Sequence, residues 1–587
     1  MHYDNFVLPF SIGLFTLIVI VIYKFSLWIK NLPQTDKQLI KKGLFTFKTL
    51  EAIKEIILES LFHRRIFKRN PLLGYMHCTL ALGWFLLILV GNLESRLHSG
   101  SEINLPFYPI FFKFFVHDRS NIPFSKFFTF AMDFILLFVL SGVLLAMTKR
   151  FYSKFFGMKK TTKMKLYDKL ALTSLWFIFP FRLIAESSTS GIHHTGSFLT
   201  DGLGSLLGES LSSYLVYPAW WAYSLSLGLF FISVPFSRYM HIPTEILLIS
   251  LRKYGIRQNN NYNSFSEIAV NSCPRCGMCI DICQLSSSAN INNIQSVYIF
   301  RAIREGTLNE EILKNCLLCG RCQEFCPVGI EINNIRISKR KEFVIQNNKN
   351  SFSYLNPVNS QKADYIYFAG CMTHLTPKIK NAMISIFDKA KINYIFMDKD
   401  ASICCGRPLK MAGLEEKANE LVKKNKDIIC NSGAKTLITS CPICYKIFKE
   451  NYNLENIKVV HHTEFLLSLV KEDKIKLNHS GKKYVYHDPC ELGRGSEIYE
   501  QPRELLKMLS DLVISNNEKQ DSLCCGGCLG NLNIEEIERN LITNDVVDVL
   551  MVNNPEAIIT ACPLCKKTLN KSSKVEVLDI AEIVDKS

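Results

Sequence analysis

The apolar residues of this chain form long unbroken runs in its N-terminal part and short alternating runs near its C-terminus. Five of the long runs are close to the ~20 residues that a helix needs to cross a bilayer. They are Phe6–Ile29, Leu72–Leu93, Phe127–Met147, Lys169–Glu186 and Tyr217–Phe236. The first run lacks a basic start and a small-residue cleavage site, so it predicts a retained span and not a signal peptide. The pattern therefore predicts an all-α membrane domain of five helices.

Short apolar strands alternate with helix-like segments in the C-terminal part of the chain. The predicted strands are Tyr365–Phe368, Tyr394–Met397, Thr436–Thr439, Lys483–Tyr486 and Ala557–Thr560, with helices at Ile379–Ala390 and Glu415–Ile429. This alternation is typical of parallel sheets, which bind ligands at the carboxyl ends of their strands. Between the spans and the strands, Val297–Arg304 and Asn309–Lys314 suit short helices.

Length and charge add a domain count and a topology. A chain of 587 residues predicts several domains, since one domain typically has about 100–200 residues. Much of the formal charge of +16 lies in two loops, Lys30–Arg69 and Lys149–Lys169, whereas the loop Ser187–Ala219 contains no Lys or Arg. The positive-inside rule then predicts a multi-pass protein of the inner cell membrane, with its N-terminus outside and the chain after Arg238 in the cytoplasm. Nucleic-acid binding is a poorer explanation of the charge.

Most of the 21 cysteines follow Asn271 at close spacings, which favours metal ligation in a reducing compartment over disulfides. Two CxxCxxCxxxC runs come first, and in two-cluster ferredoxins the fourth cysteine of each run serves the other cluster. The spacing thus predicts two [4Fe–4S] clusters, with zinc as the alternative. The first ferredoxin site consists of Cys273, Cys276, Cys279 and Cys326, and the second ferredoxin site of Cys283, Cys316, Cys319 and Cys322.

A pattern of five cysteines then occurs twice. The first repeat site consists of Cys371, Cys404, Cys405, Cys441 and Cys444, and the second repeat site of Cys490, Cys524, Cys525, Cys562 and Cys565. Matched cysteines are 119 to 121 positions apart, which indicates an internal duplication. Five thiols exceed the four ligands of tetrahedral zinc, so each copy favours an iron–sulfur cluster and electron transfer.

Local residues support cluster binding in both copies. The steps Cys441-Pro442 and Cys562-Pro563 predict a cysteine at a helix start with proline in the first turn. The N-terminus of a helix stabilises a thiolate. Gly406 and Gly526 follow the vicinal cysteines, and we expect them to let the backbone approach a bulky inorganic core.

Two histidines of the membrane domain are predicted at the same depth. His77 lies just inside the cytoplasmic end of the second span, and His241 lies at the cytoplasmic end of the fifth. One iron porphyrin can bridge two imidazoles so placed. The pair therefore predicts b haem, although either histidine alone is more typical of packing.

Charged residues within spans are costly and often functional. Asp133 lies in the outer part of the third span, and Arg182 and Glu186 lie near the outer end of the fourth. A helix rises ~1.5 Å per residue, so Asp133 and Arg182 reach similar depth and are expected to pair. The group is either a structural ion pair or a polar site for quinone head groups and protons.

The membrane part resembles the membrane subunit of respiratory nitrate reductase and the cytochrome b subunit of heterodisulfide reductase. The resemblance rests on Pro-Phe-Ser-Arg before His241 and on the span that carries His77. A second haem is common in that family, but this chain has Leu87 and Tyr223 at the corresponding positions. A second haem here would need a histidine of the outer loops, namely His98, His117, His193 or His194.

The cytoplasmic part resembles two further families. The ferredoxin module is similar to the helical ferredoxins of membrane oxidoreductases, with Gln284 where proline usually follows the last cysteine. The two repeats resemble the CCG cysteine-rich domains of heterodisulfide reductase. That resemblance implies a noncubane [4Fe–4S] cluster in each complete copy, with cubane, [2Fe–2S] or zinc occupancy as the alternatives.

The expected architecture is multidomain. It comprises a membrane cytochrome b domain (1–255), a ferredoxin domain (256–350) and two tandem α/β CCG domains (351–472 and 473–587). This layout most resembles electron-transfer-flavoprotein:menaquinone oxidoreductases and fused heterodisulfide reductase D/E-like proteins. The resemblance implies an oxidoreductase that moves electrons between a cytoplasmic partner, such as that flavoprotein, and membrane quinone. The alternatives are a quinol-dependent disulfide reductase and, more weakly, an iron–sulfur redox sensor.

Overall fold

The computed structural model describes residues 3–99, 105–118, 122–158, 164–259, 261–343, 362–527, 529 and 533–587. The chain divides into two compact units, Met1–Gly277 and Met278–Ser587. The four-domain division stays a prediction, and its boundary at 350/351 lies outside the described residues.

Within its described residues, the first unit contains five helices that are long and apolar enough to cross a membrane. In chain order they are Leu8–Lys30, Pro71–Ser99, Ser125–Phe151, Leu166–His193 and Thr200–Ser233. Each one coincides with a predicted run and most extend beyond it, because a helix continues past its apolar stretch as long as its backbone stays hydrogen-bonded. The five-helix membrane part is thereby confirmed.

Shorter helices complete the first unit, and the spans pack closely. The shorter helices are Gln34–Gly43, Phe47–Ile56, Arg64–Arg69, Phe112–Phe115, His241–Lys253 and Ser264–Asn271. A Cβ added at Gly13 would lie 2.7 Å from Cα of Gly228, so these two small residues let the first and fifth spans approach. The fifth helix bends at Gly208, where φ is 72° and ψ is 163°.

The second unit contains two four-stranded sheets in which every described pairing is parallel. The strands are β1 (Tyr365–Phe368), β2 (Tyr394–Phe396), β3 (Thr436–Thr439), β4 (Lys458–His461), β5 (Lys483–His487), β6 (Asp511–Val513), β7 (Ala557–Thr560) and β8 (Glu576–Asp579). The sheet orders are β2-β1-β3-β4 and β6-β5-β7-β8, which confirms the duplicated α/β fold. Sequence patterning missed β4, β6 and β8.

Helices cover both sheets and build the ferredoxin module. The module contains Met278–Asp281, Gln284–Ser287, Ser296–Glu305, Glu310–Lys314, Arg321–Glu324 and Ile332–Arg340. The first repeat contains Cys371–His374, Pro377–Lys389, Arg407–Ala412, Glu415–Asn431, Pro442–Asn451 and His462–Lys471. The second contains Gly493–Ser496, Glu500–Leu509, Glu536–Leu550, Pro563–Leu569 and Ile580–Lys586. One apolar core includes residues of both repeats, so the two domains share an extensive dry contact.

Candidate iron–sulfur sites and histidine cluster

The cysteines of the second ferredoxin site lie beside one another. Burial and then the neighbouring Cys319 and Cys316 thiols raise the pKa of Cys283 to about 12. Burial, followed by the same two neighbours, also raises the pKa of Cys322. Ser296 Oγ donates a hydrogen bond of 3.2 Å to the Cys322 sulfur. A set of four crowded thiols is what a cubane requires, since the bound metal compensates the thiolate charges.

The predicted ligands of the first ferredoxin site fall on both sides of the division between the units. Cys273 and Cys276 belong to the first unit, and Cys279 and Cys326 belong to the second. Cys273 is buried and the other three are half-buried. Their assignment to one cluster stays a prediction from spacing.

The five thiols of the first repeat site form one group beyond the carboxyl ends of β1 and β3. Cys405 shares side-chain hydrogen bonds with Cys404 and Cys444, and Cys444 shares one with Cys441. Cys371 is exposed as a residue. Partial burial of its thiol, and then Cys441 and Cys405, raise the pKa of Cys371 to about 12. The first repeat site is therefore compact and opens to solvent at Cys371.

The second repeat site has the same arrangement and is more enclosed. Side-chain hydrogen bonds connect Cys490 with Cys524, Cys524 with Cys525, Cys525 with Cys565, and Cys565 with Cys562. Cys490 is half-buried, and the other four cysteines are buried. His487, at the end of β5, adds a ring nitrogen within 4.8 Å of the Cys525 and Cys565 sulfurs.

The glycines after the vicinal cysteines serve helix packing. Gly406 has a φ of 85°, and a Cβ there would lie 3.1 Å from the carbonyl oxygen of Ala418. Gly526 has a φ of 87°, and a Cβ there would lie 3.0 Å from the carbonyl oxygen of Arg539. Both contacts are with a later helix, so the positive φ and this close helix packing already require glycine, and the approach to an inorganic core stays a prediction. The predicted helix starts at Cys441 and Cys562 are confirmed by the described caps.

The second ferredoxin site contacts the second repeat site through thiols. The pKa of the Cys319 thiol is lowered, first because of its hydrogen bond to the Cys524 thiol. The Gln284 side chain binds the backbone of Cys524 twice: the Cys524 N–H donates to Oε1 at 2.7 Å, and Nε2 donates to the Cys524 carbonyl at 3.1 Å. Arg494 Nε donates to the Cys319 carbonyl at 2.9 Å. The residue that replaces the usual proline thus joins the two modules.

The first repeat site contacts the other modules through different groups. Arg340 of the ferredoxin module donates to the carbonyl oxygen of Met411 at 2.7 Å. Arg407 Nη2 lies 3.1 Å from Glu491 Oε2 of the second repeat. Cys441 is an electrostatic neighbour of Cys562. The two repeat sites are therefore adjacent, and the described thiol contact with the ferredoxin module belongs to the second one.

Three histidines come together in the first unit. The ring centroids of His63 and His77 lie 5.3 Å apart at 74°, and His241 is an electrostatic neighbour of His77. Nδ1 of His63 lies 2.8 Å from the Glu59 carbonyl oxygen, and Nδ1 of His241 lies 2.7 Å from that of Arg238. A carbonyl only accepts, so the Nδ1 atoms of His63 and His241 carry the proton. Haem ligation by His77 and His241 stays a prediction.

Sequence reasoning missed His63, because its neighbours Arg64 and Arg65 mark it as part of a basic loop.

Among the four outer histidines, His117 and His193 stack with ring centroids 3.7 Å apart. Tyr223 lies against the guanidinium of Arg182 at 6.0 Å.

A buried network of four charges, the outer polar network, consists of Lys113, Asp133, Arg182 and Glu186, each at most 5% exposed. Arg182 Nε bonds Glu186 Oε1 at 2.8 Å, and Lys113 Nζ lies 2.7 Å from Glu186 Oε2 and 3.4 Å from Asp133 Oδ1. Asp133 also accepts the Thr200 backbone N–H at 2.9 Å. The expected Asp133–Arg182 pair is replaced, because Lys113 enters from the short helix Phe112–Phe115, which lies outside the spans. Two cations face two anions, so the network is neutral as a whole.

Comparison with known families defines the class. Residues 365–449 and 484–570 match the family model described as a cysteine-rich domain (CCG), and residues 269–330 match a 4Fe-4S dicluster domain. With the five membrane helices, these matches make the chain a membrane protein that binds iron–sulfur clusters through a dicluster domain and two CCG domains.

Named relatives share this fused layout in whole or in part. The chain is 24% identical to the EtfAB:quinone oxidoreductase of Syntrophomonas wolfei, over 88% of each chain. It is 21% identical to the probable iron-sulfur-binding oxidoreductase FadF of Bacillus subtilis, over 90% of each chain. It is 26% identical to one subunit of the dihydromethanophenazine:CoB–CoM heterodisulfide reductase of Methanosarcina acetivorans, over 55% of this chain and 95% of that one. The chain is therefore an iron–sulfur oxidoreductase.

Proposed function

We propose that this protein carries electrons between a soluble electron-transfer flavoprotein in the cytoplasm and menaquinone in the inner membrane. The observation that carries the proposal is the contact between Cys319 and Cys524, which joins the ferredoxin module to a CCG domain without an intervening partner. The relative named for EtfAB and quinone, aligned over most of both chains, supports the choice of partners. The charge asymmetry of the loops supports an N-terminus outside and cytoplasmic iron–sulfur domains.

The order of the sites follows from their contacts and differs from their order in the chain. The second repeat site is next to the second ferredoxin site, and the first repeat site is next to the second. We assign entry from the soluble partner to the first repeat site, because its Cys371 is exposed. Electrons then pass to the second repeat site, the ferredoxin sites and the membrane part.

Haem b in this scheme is held by His77 and His241, and it would supply one-electron exchange with quinone. His77 is next to both His63 and His241, so it is the shared member of either possible ligand pair. His77→Ala therefore tests whether a haem is bound at all. We expect His77→Ala and His241→Ala to lose the haem α-band, whereas His63→Ala retains it. Loss in His63→Ala and retention in His241→Ala would assign the second haem-holding residue to His63.

The outer polar network is proposed to hold the quinone head group and its protons. The double substitution Arg182→Leu with Glu186→Leu removes one ion pair and leaves Lys113 facing Asp133, so no buried charge stays unpaired. Haem content should be unchanged, while haem oxidation by a menaquinone analogue slows at least about tenfold. An unchanged oxidation rate would show that the outer polar network has only a structural role.

The test of the whole proposal is reduction of the purified protein by candidate donors. Reduced electron-transfer flavoprotein should reduce the haem, followed at its α-band, and the iron–sulfur clusters, followed by electron paramagnetic resonance. A second candidate function, quinol-dependent disulfide reduction, is favoured by the complete cysteine sets and the exposed Cys371. Oxidation of reduced haem by a disulfide, with no response to the flavoprotein, would replace the first function by the second.

A further inference from the structure

The two repeat sites differ at one matched position, the last residue of the strand before the first cysteine. β1 ends at Phe368, which pairs with Thr439, and β5 ends at His487, which pairs with Thr560. Both residues stand three positions before the first cysteine of their site. The backbone register is therefore the same, and the side chain alone has changed.

The surroundings of the two side chains differ accordingly. Phe368 is fully buried and packs edge-to-face on Phe448 at 5.0 Å, as an ordinary core residue does. His487 is 3% exposed, its Nε2 has no geometric hydrogen bond among the described residues, and its ring makes a side-chain hydrogen-bond contact with the Cys525 thiol. A buried polar atom left unpaired costs about 1–3 kcal/mol, so such an atom normally has a partner. A ring nitrogen of His487 lies within 4.8 Å of the sulfurs of Cys525 and Cys565, which themselves lie within that distance of each other.

We propose that His487 is an additional iron ligand of the second repeat site, so that the two repeats hold chemically different iron–sulfur centres. The inference rests on the proposed iron–sulfur occupancy of the CCG domains and deepens it. One nitrogen and two sulfurs around a common point form a donor triangle that suits a single iron. A neutral imidazole adds no negative charge to a centre that already has five thiolates.

The experiment uses the full-length protein labelled with ¹⁵N-histidine. The signal of the second centre is isolated by subtracting the spectrum of a Cys525→Ser variant, and its nitrogen couplings are measured by pulsed electron paramagnetic resonance. The wild type should show the strong coupling of a nitrogen bound to iron. The coupling should vanish in His487→Phe, which copies the first repeat, and persist in the control His479→Phe, which removes an exposed histidine.

Two outcomes would overturn the inference: no nitrogen coupling in the wild type, or only the weak coupling of a hydrogen-bonded nitrogen. The wild-type measurement decides even if His487→Phe fails to fold. Normal iron and sulfide content without strong coupling would leave the proposed function intact and remove only the ligand. Absence of iron from both repeats in the wild type would instead overturn the occupancy and the ligand with it. As a reciprocal test, Phe368→His should add a strong nitrogen coupling to the signal of the first centre.

Discussion

The two cysteine-rich domains have the same strand order and nearly the same cysteine register, yet their surroundings differ. The second domain contacts the ferredoxin module through Cys524 and binds Gln284, whereas the first exposes Cys371. The two copies thus share the fold that groups five thiols, but the residues and solvent around those thiols differ. The difference supports the proposed roles of an inner relay site in the second repeat and an outer contact site in the first.

The largest expected effect comes from removing one vicinal cysteine in each repeat. Cys525→Ser should slow electron passage from a soluble donor to the haem by about two orders of magnitude, because it removes a ligand of the middle centre in the proposed relay, and a barrier higher by about 2.7 kcal/mol slows transfer a hundredfold. Under reduction from the quinol side, Cys525→Ser should leave the first repeat site oxidised, whereas Cys405→Ser should leave the second repeat site reducible. The measurement is cluster reduction followed by electron paramagnetic resonance. Equal behaviour of the two variants would contradict the distinction between inner and outer sites.

Gln284 offers a smaller test of the same difference. Gln284→Ala leaves the N–H and carbonyl of Cys524 without the partners that the side chain supplies, which costs about 1–3 kcal/mol. We expect a lower midpoint for thermal loss of iron–sulfur absorbance and slower electron exchange between the ferredoxin module and the second repeat. The control is Gln520→Ala, which changes an exposed glutamine of the second repeat, the domain that contains Cys524. The structure gives the Gln520 side chain no such contact with Cys524, so this variant should change neither quantity. Equal values for the two variants would show that the Gln284 contact is not needed.

Contacts between distant residues are the features of this protein that its sequence does not predict. The spans and most strands follow from local periodicity, and the cysteine groups follow from spacing that a cluster imposes. The contact between Gln284 and Cys524 joins residues 240 positions apart, and no local pattern encodes it. The same holds for Lys113 beside Asp133, since the lysine stands outside the apolar runs. Packing of distant segments decided these features.

The smallest predicted effect concerns buried charge in the first repeat. Burial, and then the positive charge of Arg407, lower the pKa of Lys410 to about 8. The second repeat has Gly527 where the first has Arg407. Below pH 8 the folded state must hold a charged Lys410, and this cost disappears as the pH rises from 8 to the unfolded pKa near 10.5.

Lys410→Met should therefore stabilise the protein near neutral pH by about 1 kcal/mol, less than the full pKa shift would give, because the substitution also removes the hydrogen bond that Lys410 Nζ donates to Asn451 Oδ1. The measurement is the midpoint of thermal loss of iron–sulfur absorbance, as a function of pH, for the variant and the wild type. Their difference should shrink between pH 8 and 10.5. A difference that grows over this range would show that the pKa is not lowered.

The most direct test of the account is the order in which the centres are reduced by a soluble donor. The protein is mixed with reduced electron-transfer flavoprotein, frozen after milliseconds and examined by electron paramagnetic resonance, with Cys405→Ser and Cys525→Ser identifying the two repeat signals. We predict that the first repeat site is reduced before the second repeat site, and the ferredoxin sites after both. Reduction of the ferredoxin sites before either repeat site would contradict the relay inferred from the contact between Cys319 and Cys524.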